Sequence, residues 1–228
     1  MIRKTKEDFE WLEFELLQEF PRVTHGVFLK PTDFKESGSQ QQIKGLLGLE
    51  SMVRSHLVHG REVHWVTKAE ILTCDGLVTK TPDLGLVVTH ADCQAAVFYD
   101  PVEQVIANVH CGWRGNVQNI YALTVAALKE AGSKPENLLV GISPSLGPEH
   151  AEFIQFKEEL PTSFWGYQTK PFFFDFWAIA RDQLIDCGVL PDHIEVARMC
   201  TYADESQFFS YRRNKKTGRH ATVMAIRR

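Results

Sequence analysis

Three segments of the sequence place histidine or cysteine at the end of a predicted strand, just before a turn. They contain His59, Cys93 and His110, which are 34 and 17 positions apart. Imidazole nitrogen and thiolate sulfur bind metals, and a cysteine near a histidine can also act as a nucleophile. The spacings match no zinc-finger pattern, so spacing alone leaves a metal site, a catalytic cysteine and an ordinary structural role open.

The segment around His110 also has the features of an anion site. It reads His110-Cys-Gly-Trp-Arg-Gly115, which indicates a strand, a tight turn and the start of a helix. Backbone N–H groups at a helix N-terminus favour an anion, and the guanidinium of Arg114 would add a fork of donors. Asp92, next to Cys93, can orient a ligand, accept a proton or simply cap its own turn.

The elements that must position these residues follow from the periodicity of the sequence. Apolar residues at helical spacing predict a helix over 6–20, and a strand over 23–29 and a mobile loop over 31–42 follow it. Further strands are predicted near 53–58, 62–67, 84–89, 95–99, 104–110, 137–142, 194–199 and 219–226, and further helices over 115–131 and 175–187. The pattern is that of an α+β chain, and without a repeat or linker we expect one domain over residues 1–228.

Composition excludes several classes of protein. The chain has 228 residues, of which 44% are hydrophobic and 24% charged, enough for a packed core without disulfides. The net charge of −4 disfavours nucleic acid as a partner. The apolar runs are too short to span a bilayer, and the amino terminus does not resemble a signal peptide. The five cysteines include no CxxC pair, which indicates reduced thiols, so we expect a cytoplasmic protein. We also expect a monomer without membrane contact.

Several motifs together resemble one protein family. They are Val58-His59-Gly60, Ala91-Asp92-Cys93, the segment from His110 to Gly115, Cys200-Thr201, and Phe208-Phe-Ser-Tyr-Arg-Arg213 with Thr217-Gly-Arg219. The set covers about residues 53–226 and is similar to the YfiH-like laccase-domain family, variously described as purine nucleoside phosphorylase, peptidoglycan editing factor and multicopper polyphenol oxidoreductase. The first fifty residues diverge. The resemblance implies a single α-β-β-α sandwich with mixed sheets, the CNF/YfiH-like fold.

The resemblance also implies a site and an activity. It places His59, Cys93 and His110 as three zinc ligands, which leaves the open fourth position of a catalytic zinc site. The implied reactions are phosphorolysis of adenosine, inosine and methylthioadenosine and deamination of adenosine, with nucleoside and phosphate as partners. Zinc can activate water for attack on purine C6. Besides these three ligands, the candidate residues are Asp92 for catalysis and Arg114, Arg212, Arg213 and Lys30 for substrate or phosphate.

The sequence departs from the family pattern at four places. Lys30 stands where the family has an arginine, and it offers charge without a planar fork. His90 replaces a threonine and Cys111 a small residue, which adds two soft ligands near the proposed metal. Glu149-His150 stand where the family has a cysteine after Gly-Pro. These changes leave the preferred nucleoside less defined than the metal site.

Three other functions compete with this interpretation. A four-copper oxidase needs about ten histidines, commonly in His-x-His pairs, whereas this chain has nine and no such pair, so zinc is favoured over copper. A metal-free hydrolase or transferase would use Cys93 as nucleophile and His110 or His59 as base. A factor that edits or binds a peptidoglycan precursor would need an exposed apolar surface, for which Phe172–Phe174 and Phe176-Trp177 are candidates unless they begin a buried helix.

Overall fold

The core of this protein lies between two β-sheets that pack face to face. The computed structural model describes residues 1–36 and 38–228. The fifteen strands within these residues are β1 (Ile2–Lys6), β2 (Phe9–Glu13), β3 (Val23–Phe28), β4 (Ser51–His56), β5 (Val63–Trp65), β6 (Ile71–Thr73), β7 (Gly76–Thr79), β8 (Leu84–His90), β9 (Gln94–Asp100), β10 (Val105–Cys111), β11 (Leu139–Ile142), β12 (Gln168–Lys170), β13 (Phe173–Phe174), β14 (Ile194–Val196) and β15 (His220–Ile226). The five α-helices there are α1 (Ser39–Leu46), α2 (Trp113–Val117), α3 (Ile120–Glu130), α4 (Phe156–Glu159) and α5 (Phe176–Asp186).

Both large sheets are mixed. The seven-stranded sheet has the order β1-β2-β3-β15-β8-β4-β6, and β4 runs parallel to both β6 and β8. The six-stranded sheet has the order β14-β11-β9-β10-β7-β5, with parallel pairs at its two edges. β12 and β13 form a separate pair. The chain therefore crosses between the two large sheets several times.

The sheets and helices form four layers. Leu86 of β8 and Ile106 of β10 meet in the core between the sheets. Helix α1 covers the outer face of the seven-stranded sheet through Ile43. Helices α3 and α5 cover the outer face of the six-stranded sheet through Leu128 and Leu184. This order confirms the α-β-β-α sandwich. The longest helices have 11 residues each, and no described helix combines the length and apolar character needed to cross a membrane.

The prediction of a helix over 6–20 is wrong. These residues complete the antiparallel hairpin of β1 and β2 and then form a short 3-10 turn. β2 also pairs with β3 on its other edge. Trp11 packs toward α1, whereas Leu12 packs into the core between the sheets. A strand buried on both faces carries apolar residues in both registers, and here their spacing imitates a helical period.

Other elements differ from the prediction in detail. The helix predicted over 115–131 is two helices, because Asn119 takes a left-handed conformation with φ of 51° and caps α3 by accepting from the N–H of Ala122. β6 and β7 were not predicted. Helix α1 begins inside the loop predicted over 31–42, in which Ser37 lies outside the described residues. The strands predicted near 23–29, 84–89, 95–99, 104–110 and 219–226 are confirmed.

Candidate active site

His59, Cys93 and His110 lie together where the chain crosses between the two sheets. His59 is in the connection from β4 to β5, Cys93 is in the turn from β8 to β9, and His110 is near the end of β10. Each residue offers one ligand atom, and the three atoms all lie within 4.8 Å of one another. The two imidazole rings meet edge to face with centroids 4.9 Å apart. The fold thus joins three residues that spacing alone left unconnected.

Asp75, just before β7, holds two of these three residues in place. Its Oδ1 lies 2.9 Å from Nδ1 of His110 and accepts a hydrogen bond from the N–H of His59 at 3.0 Å. Its Oδ2 accepts from the N–H of Gly60 at 2.7 Å. Because Nδ1 of His110 is bonded to Asp75, Nε2 is the ring nitrogen left to bind a ligand. In the sequence Asp75 precedes Gly76, a pair that is typical of an ordinary turn and gives no sign of this role.

The charges in this cluster favour a thiolate at Cys93. Burial by itself raises the pKa of the Cys93 thiol, but His110 and His59 lower that pKa below its ordinary value. Burial lowers the pKa of His110, yet Cys93 and Asp75 raise it overall. Burial also raises the pKa of Asp75, and the hydrogen bonds from His110 and Gly60 more than reverse this effect. The sulfur is therefore held in the form that binds metals.

Because Gly112 has no side chain, it leaves room for the side chains of Cys93 and His59. A Cβ at this position would lie 3.0 Å from Sγ of Cys93 and 3.3 Å from Cδ2 of His59. Two imidazoles and one thiolate are a donor set that a divalent metal accepts with a fourth position left open, so the residues fit a metal centre. Within residues 1–36 and 38–228 this is the one group of three or more histidine, cysteine or acidic residues so arranged.

A cavity of 330 Å³ with an aromatic wall opens beside Cys93 and His59, and we call it the aromatic cavity. Its wall includes Trp113, Phe153 and Phe176. The rings of Trp113 and Phe153 meet edge to face with centroids 5.9 Å apart, and those of Phe153 and Phe176 are 5.2 Å apart. Such a wall accepts a flat, weakly polar group by stacking. Phe153 lies 60 positions from Cys93, and no motif in the sequence connects the two residues.

Two of the four candidate anion-binding residues, Arg114 and Arg212, line the aromatic cavity. The guanidinium carbon of Arg114 lies 4.1 Å from the centre of the Trp113 ring. Arg212 donates from both terminal nitrogens to the carbonyl of Glu152, at 3.4 and 3.3 Å. The fold therefore brings two positive charges to the same cavity as the aromatic wall.

The other two candidates, Arg213 and Lys30, do not line the aromatic cavity. Arg213 donates to the carbonyl of Thr201 at 3.0 Å and to that of Phe208 at 2.5 Å. Lys30 donates from Nζ to the carbonyl of Glu205 at 2.8 Å. These bonds hold the loop that precedes Arg213, so both side chains are engaged with the protein itself.

Asp92 lines the aromatic cavity, but its carboxylate is bonded to the chain. Its Oδ1 accepts from the hydroxyl of Thr201 at 2.7 Å, and its Oδ2 accepts from the N–H of Arg212 at 2.6 Å. The residue has a φ of 87°, in the left-handed region, at the tight turn before Cys93. Asp92 therefore connects the turn that carries Cys93 to the loop that carries Arg212.

His90 and Cys111, the two additional soft ligands, are buried and stand outside the His-Cys-His group. Nε2 of His90 lies 2.8 Å from the hydroxyl oxygen of Thr222. Burial raises the pKa of the Cys111 thiol, and its Sγ donates to the carbonyl of Gly112 at 3.6 Å. Their side chains thus contact protein groups on either side of the cluster.

Glu149 and His150 do not line the aromatic cavity. Glu149 pairs with Lys170 at 2.7 Å. The ring of His150 stacks on Tyr202 with centroids 4.5 Å apart, and its Nδ1 lies 3.5 Å from Sγ of Cys200. These two departures from the family pattern are contacts at the surface near the loop of Cys200.

The aromatic run considered as an exposed binding surface is mostly core. Phe174 is fully buried, and Phe176 and Trp177 are each 8% exposed. Phe172 is 43% exposed. Phe176 and Trp177 form the first turn of α5, which Asp175 caps by accepting from two backbone N–H groups. The buried start of a helix therefore accounts for this run.

Comparisons with known proteins agree with the geometry. Residues 36–227 match the family described as multi-copper polyphenol oxidoreductase laccase. The chain is similar to a purine nucleoside phosphorylase of Xylella fastidiosa, with 29% identity over 204 residues covering 82% of this chain and 77% of that one. It is 31% identical to purine nucleoside phosphorylase YfiH of Shigella flexneri over 177 residues, 73% of this chain and 70% of the relative. The crystal structure of YlmD from Geobacillus stearothermophilus has the same fold, with a TM-score of 0.85, 24% identity and 98% of each chain covered. The chain therefore belongs to the YfiH-like laccase-domain family.

Proposed function

We propose that this protein is a zinc-dependent purine nucleoside phosphorylase that acts on adenosine, inosine and methylthioadenosine and also deaminates adenosine. The observation that carries the proposal is that two members of the His-Cys-His cluster, His59 and Cys93, line the aromatic cavity. Curated relatives at about 30% identity carry the name purine nucleoside phosphorylase, which supports the same reading. Metal ligands and a stacking surface on one cavity suit an enzyme that acts on a planar base.

The donor set favours zinc in this centre. Nε2 of His110, the imidazole of His59 and the thiolate of Cys93 would hold the ion, and Asp75 would orient His110 from behind. When bound, zinc supplies a Lewis acid at the cavity wall. Gly112 keeps the approach to Cys93 and His59 open.

The aromatic cavity would hold the purine. Phe153, Trp113 and Phe176 offer ring faces and edges against which a base can stack. Arg114 and Arg212 provide hydrogen-bond donors to its nitrogen and oxygen atoms. Asp92 would act through Arg212, because it accepts from the backbone of that residue.

The two reactions need different edges of the purine at the cluster. In phosphorolysis an oxygen of hydrogen phosphate attacks C1′, the C1′–N9 bond breaks, and the electron pair of that bond and the phosphate proton end on the base. In deamination the C6 amino group leaves as ammonia and an oxygen atom from water takes its place. We therefore expect the nucleoside to bind in two orientations, with the ribose or with C6 toward Cys93 and His59.

A metal-free cysteine hydrolase or transferase is the second candidate, because one specific arrangement favours it. Asp75, His110 and Cys93 provide a carboxylate, an imidazole and a thiol. The carboxylate lies 2.9 Å from Nδ1 of His110, and His110 groups with Cys93 on its other side. This is the order in which an oriented histidine activates a nucleophile. The same arrangement orients a metal ligand, so metal content distinguishes the two functions.

We further propose that the protein works as a cytoplasmic monomer whose partners are the nucleoside and phosphate. All five cysteines are free. A centre that depends on the thiolate of Cys93 is best preserved in a reducing compartment, since a thiolate of lowered pKa is the form most readily oxidised.

The test is metal analysis combined with product analysis. Protein purified without chelator should contain about one zinc per chain, and it should convert adenosine and phosphate to adenine, ribose 1-phosphate and inosine. Cys93→Ser and His110→Ala should lose the zinc and both activities, whereas His64→Ala, at an exposed histidine that does not line the aromatic cavity, should keep them. No turnover by folded, zinc-replete protein contradicts the proposal. A hydrolytic activity that survives metal removal but not Cys93→Ser supports the second candidate instead.

A further inference from the structure

A second cavity, of 640 Å³, opens beside the His-Cys-His cluster and is lined by all three of its residues. His59, Ala91, Cys93 and Tyr211 line both cavities, so the cluster forms the boundary between them. His110 lines the second cavity only. A ligand held at the shared residues would therefore extend into either cavity, or into both.

The second cavity is basic, and we call it the basic cavity. Lys35, Arg54 and Arg219 line it, and none of the described residues in its wall is acidic. The carboxylate of Asp33 accepts from the backbone N–H groups of Lys35 and Arg219, at 3.0 and 2.8 Å, and does not line the cavity. The chain as a whole has a net charge of −4. Three positive side chains around one cavity, with no acidic residue in its wall, therefore create a local positive field that attracts anions.

The guanidinium groups of this cavity retain unused donors. Arg54 is half-buried on β4, and in the described part of the chain its side chain has no hydrogen bond or ion pair. Arg219 donates from one terminal nitrogen to the carbonyls of Thr217 and Gly218, at 3.1 and 2.9 Å, which leaves its other terminal nitrogen available. Half-buried arginines with unused donors are suited to bind an oxyanion, which accepts several hydrogen bonds at once.

A buried histidine in the same wall also lacks a partner. His90 lines the basic cavity and is 2% exposed. Its Nε2 lies beside the hydroxyl of Thr222, but its Nδ1 has no hydrogen-bond partner among the described residues. A buried polar atom is usually satisfied, so this nitrogen adds a polar group to the wall that the arginines form.

We propose that the basic cavity binds inorganic phosphate as the second substrate of phosphorolysis, while the purine occupies the aromatic cavity. This inference rests on the proposed function. Direct displacement at C1′ places the attacking oxygen and the leaving base on opposite faces of the ribose. Two separate cavities that share His59 and Cys93 let phosphate enter from one while the base lies in the other, with the ribose at the shared residues. Phosphate enters as hydrogen phosphate, its oxygen forms the bond to C1′, and its proton leaves on the purine.

This assignment separates the arginines into two groups. Arg54 and Arg219 hold the phosphate, and their loss should weaken phosphate binding alone. Arg114 lies against Trp113 on the aromatic side, so its loss should weaken nucleoside binding. Deamination uses water rather than phosphate, so it should not depend on the basic cavity.

The test compares Arg54→Gln and Arg219→Gln with Arg181→Gln, a control that removes the same charge from α5 at a residue lining neither cavity. In the zinc-loaded enzyme each of the first two variants should raise KM for phosphate about tenfold or more, because each removes charged hydrogen bonds to the anion. KM for adenosine and the rate of adenosine deamination should stay within about twofold of the parent enzyme. An unchanged KM for phosphate in both variants, or a rise in KM for adenosine instead, overturns the proposal. Arg219→Lys provides a folded alternative if Arg219→Gln is unstable.

Two further measurements are needed. The first distinguishes free phosphate from a nucleotide as the bound anion, and the second tests the cavity separately from the proposed function. If adenosine 5′-monophosphate is the better substrate, and if Arg54→Gln impairs its turnover without changing KM for free phosphate, the cavity binds a nucleotide and the proposal fails. Calorimetric titration with inorganic phosphate alone tests the cavity even if the enzyme catalyses no phosphorolysis. Binding to the parent protein that Arg54→Gln weakens and Arg181→Gln preserves supports the anion site independently, whereas no binding overturns it.

Discussion

The carboxylate of Asp75 lies 2.9 Å from Nδ1 of His110, although the two residues are 35 positions apart in the chain. The contact exists because β7 and β10 are neighbours in the six-stranded sheet, and the N–H of His110 also donates to the carbonyl of Asp75 at 2.7 Å. The same carboxylate accepts from the loop of His59. One buried acid thus sets the orientation of two metal-ligand candidates.

Asp75→Asn should weaken zinc binding about ten- to a hundredfold, because outer partners of metal-bound histidines contribute on this scale. The neutral amide keeps the volume of the carboxylate but can present an N–H to Nδ1 of His110, which favours the wrong tautomer. Competition with a coloured chelator measures the affinity. Asp192→Asn, on the exposed 3-10 turn before β14, is the control and should leave zinc affinity unchanged. Parent-like affinity in Asp75→Asn contradicts the role of Asp75.

The sequence located the candidate ligands but not the residue that orients them. His59, Cys93 and His110 could be found because each lies at or just after the end of a recognisable strand, and because the surrounding motifs resemble one family. Asp75 could not, since its role depends on which strands become neighbours, and its Asp-Gly signature is shared by ordinary turns. The basic cavity was missed for the same reason, because Arg54, Lys35 and Arg219 come from distant parts of the chain.

The fold was predicted best where a strand is one continuous apolar run, without charged residues between the apolar ones. β8, β9 and β10 are continuous buried runs bounded by turn residues, and their limits followed from the sequence. The hairpin of β1 and β2 was mistaken for a helix because Trp11 and Leu12 are covered on opposite faces of one strand. Burial on both faces is a tertiary property that local periodicity does not reveal.

Gly112→Ala should weaken metal binding without unfolding the protein. The added methyl group would lie 3.0 Å from Sγ of Cys93, closer than ordinary contact allows, so the thiolate must shift by a few tenths of an ångström. Zinc affinity should fall about tenfold or more, since ligand geometry controls metal affinity. Gly166→Ala is the matched control because its added Cβ meets no atom within 4 Å. If both variants bind zinc alike, the close approach at Gly112 is not required by the metal.

Phe153→Leu should raise KM for adenosine several-fold while KM for phosphate stays unchanged. The substitution keeps an apolar side chain but removes the ring against which the purine would stack, and such stacking contributes about 1–3 kcal/mol per base. Steady-state kinetics with each substrate varied in turn measures both constants. Phe156→Leu belongs to the same aromatic cluster but does not line the aromatic cavity, so it controls for lost packing. Equal effects of the two variants on KM for adenosine contradict stacking on Phe153.

His220 should make the fold sensitive to acid. Its Nδ1–H donates to the carbonyl of Phe28 and its Nε2 accepts from the N–H of Phe209, both at 2.8 Å, so both bonds require the neutral ring. Burial lowers the pKa of His220 to about 4, whereas an unfolded histidine has a pKa of 6.5. Between these values the unfolded chain binds more protons, so stability falls as the pH falls. For one such histidine the loss reaches roughly 3 kcal/mol near pH 4.

Urea denaturation from about pH 7.5 to about pH 4.5 measures this loss as a falling free energy of unfolding. His220→Gln should flatten the acid side of the profile, because an amide can donate to the carbonyl of Phe28 and accept from the N–H of Phe209 without titrating. His64→Gln changes an exposed histidine and should leave the profile as in the parent protein. His25 is also buried, with its pKa lowered to about 4 and Nε2 accepting from the N–H of Phe14, so some acid sensitivity will remain in His220→Gln. An acid slope in His220→Gln as steep as in the parent protein would show that His220 is not held neutral by its two bonds.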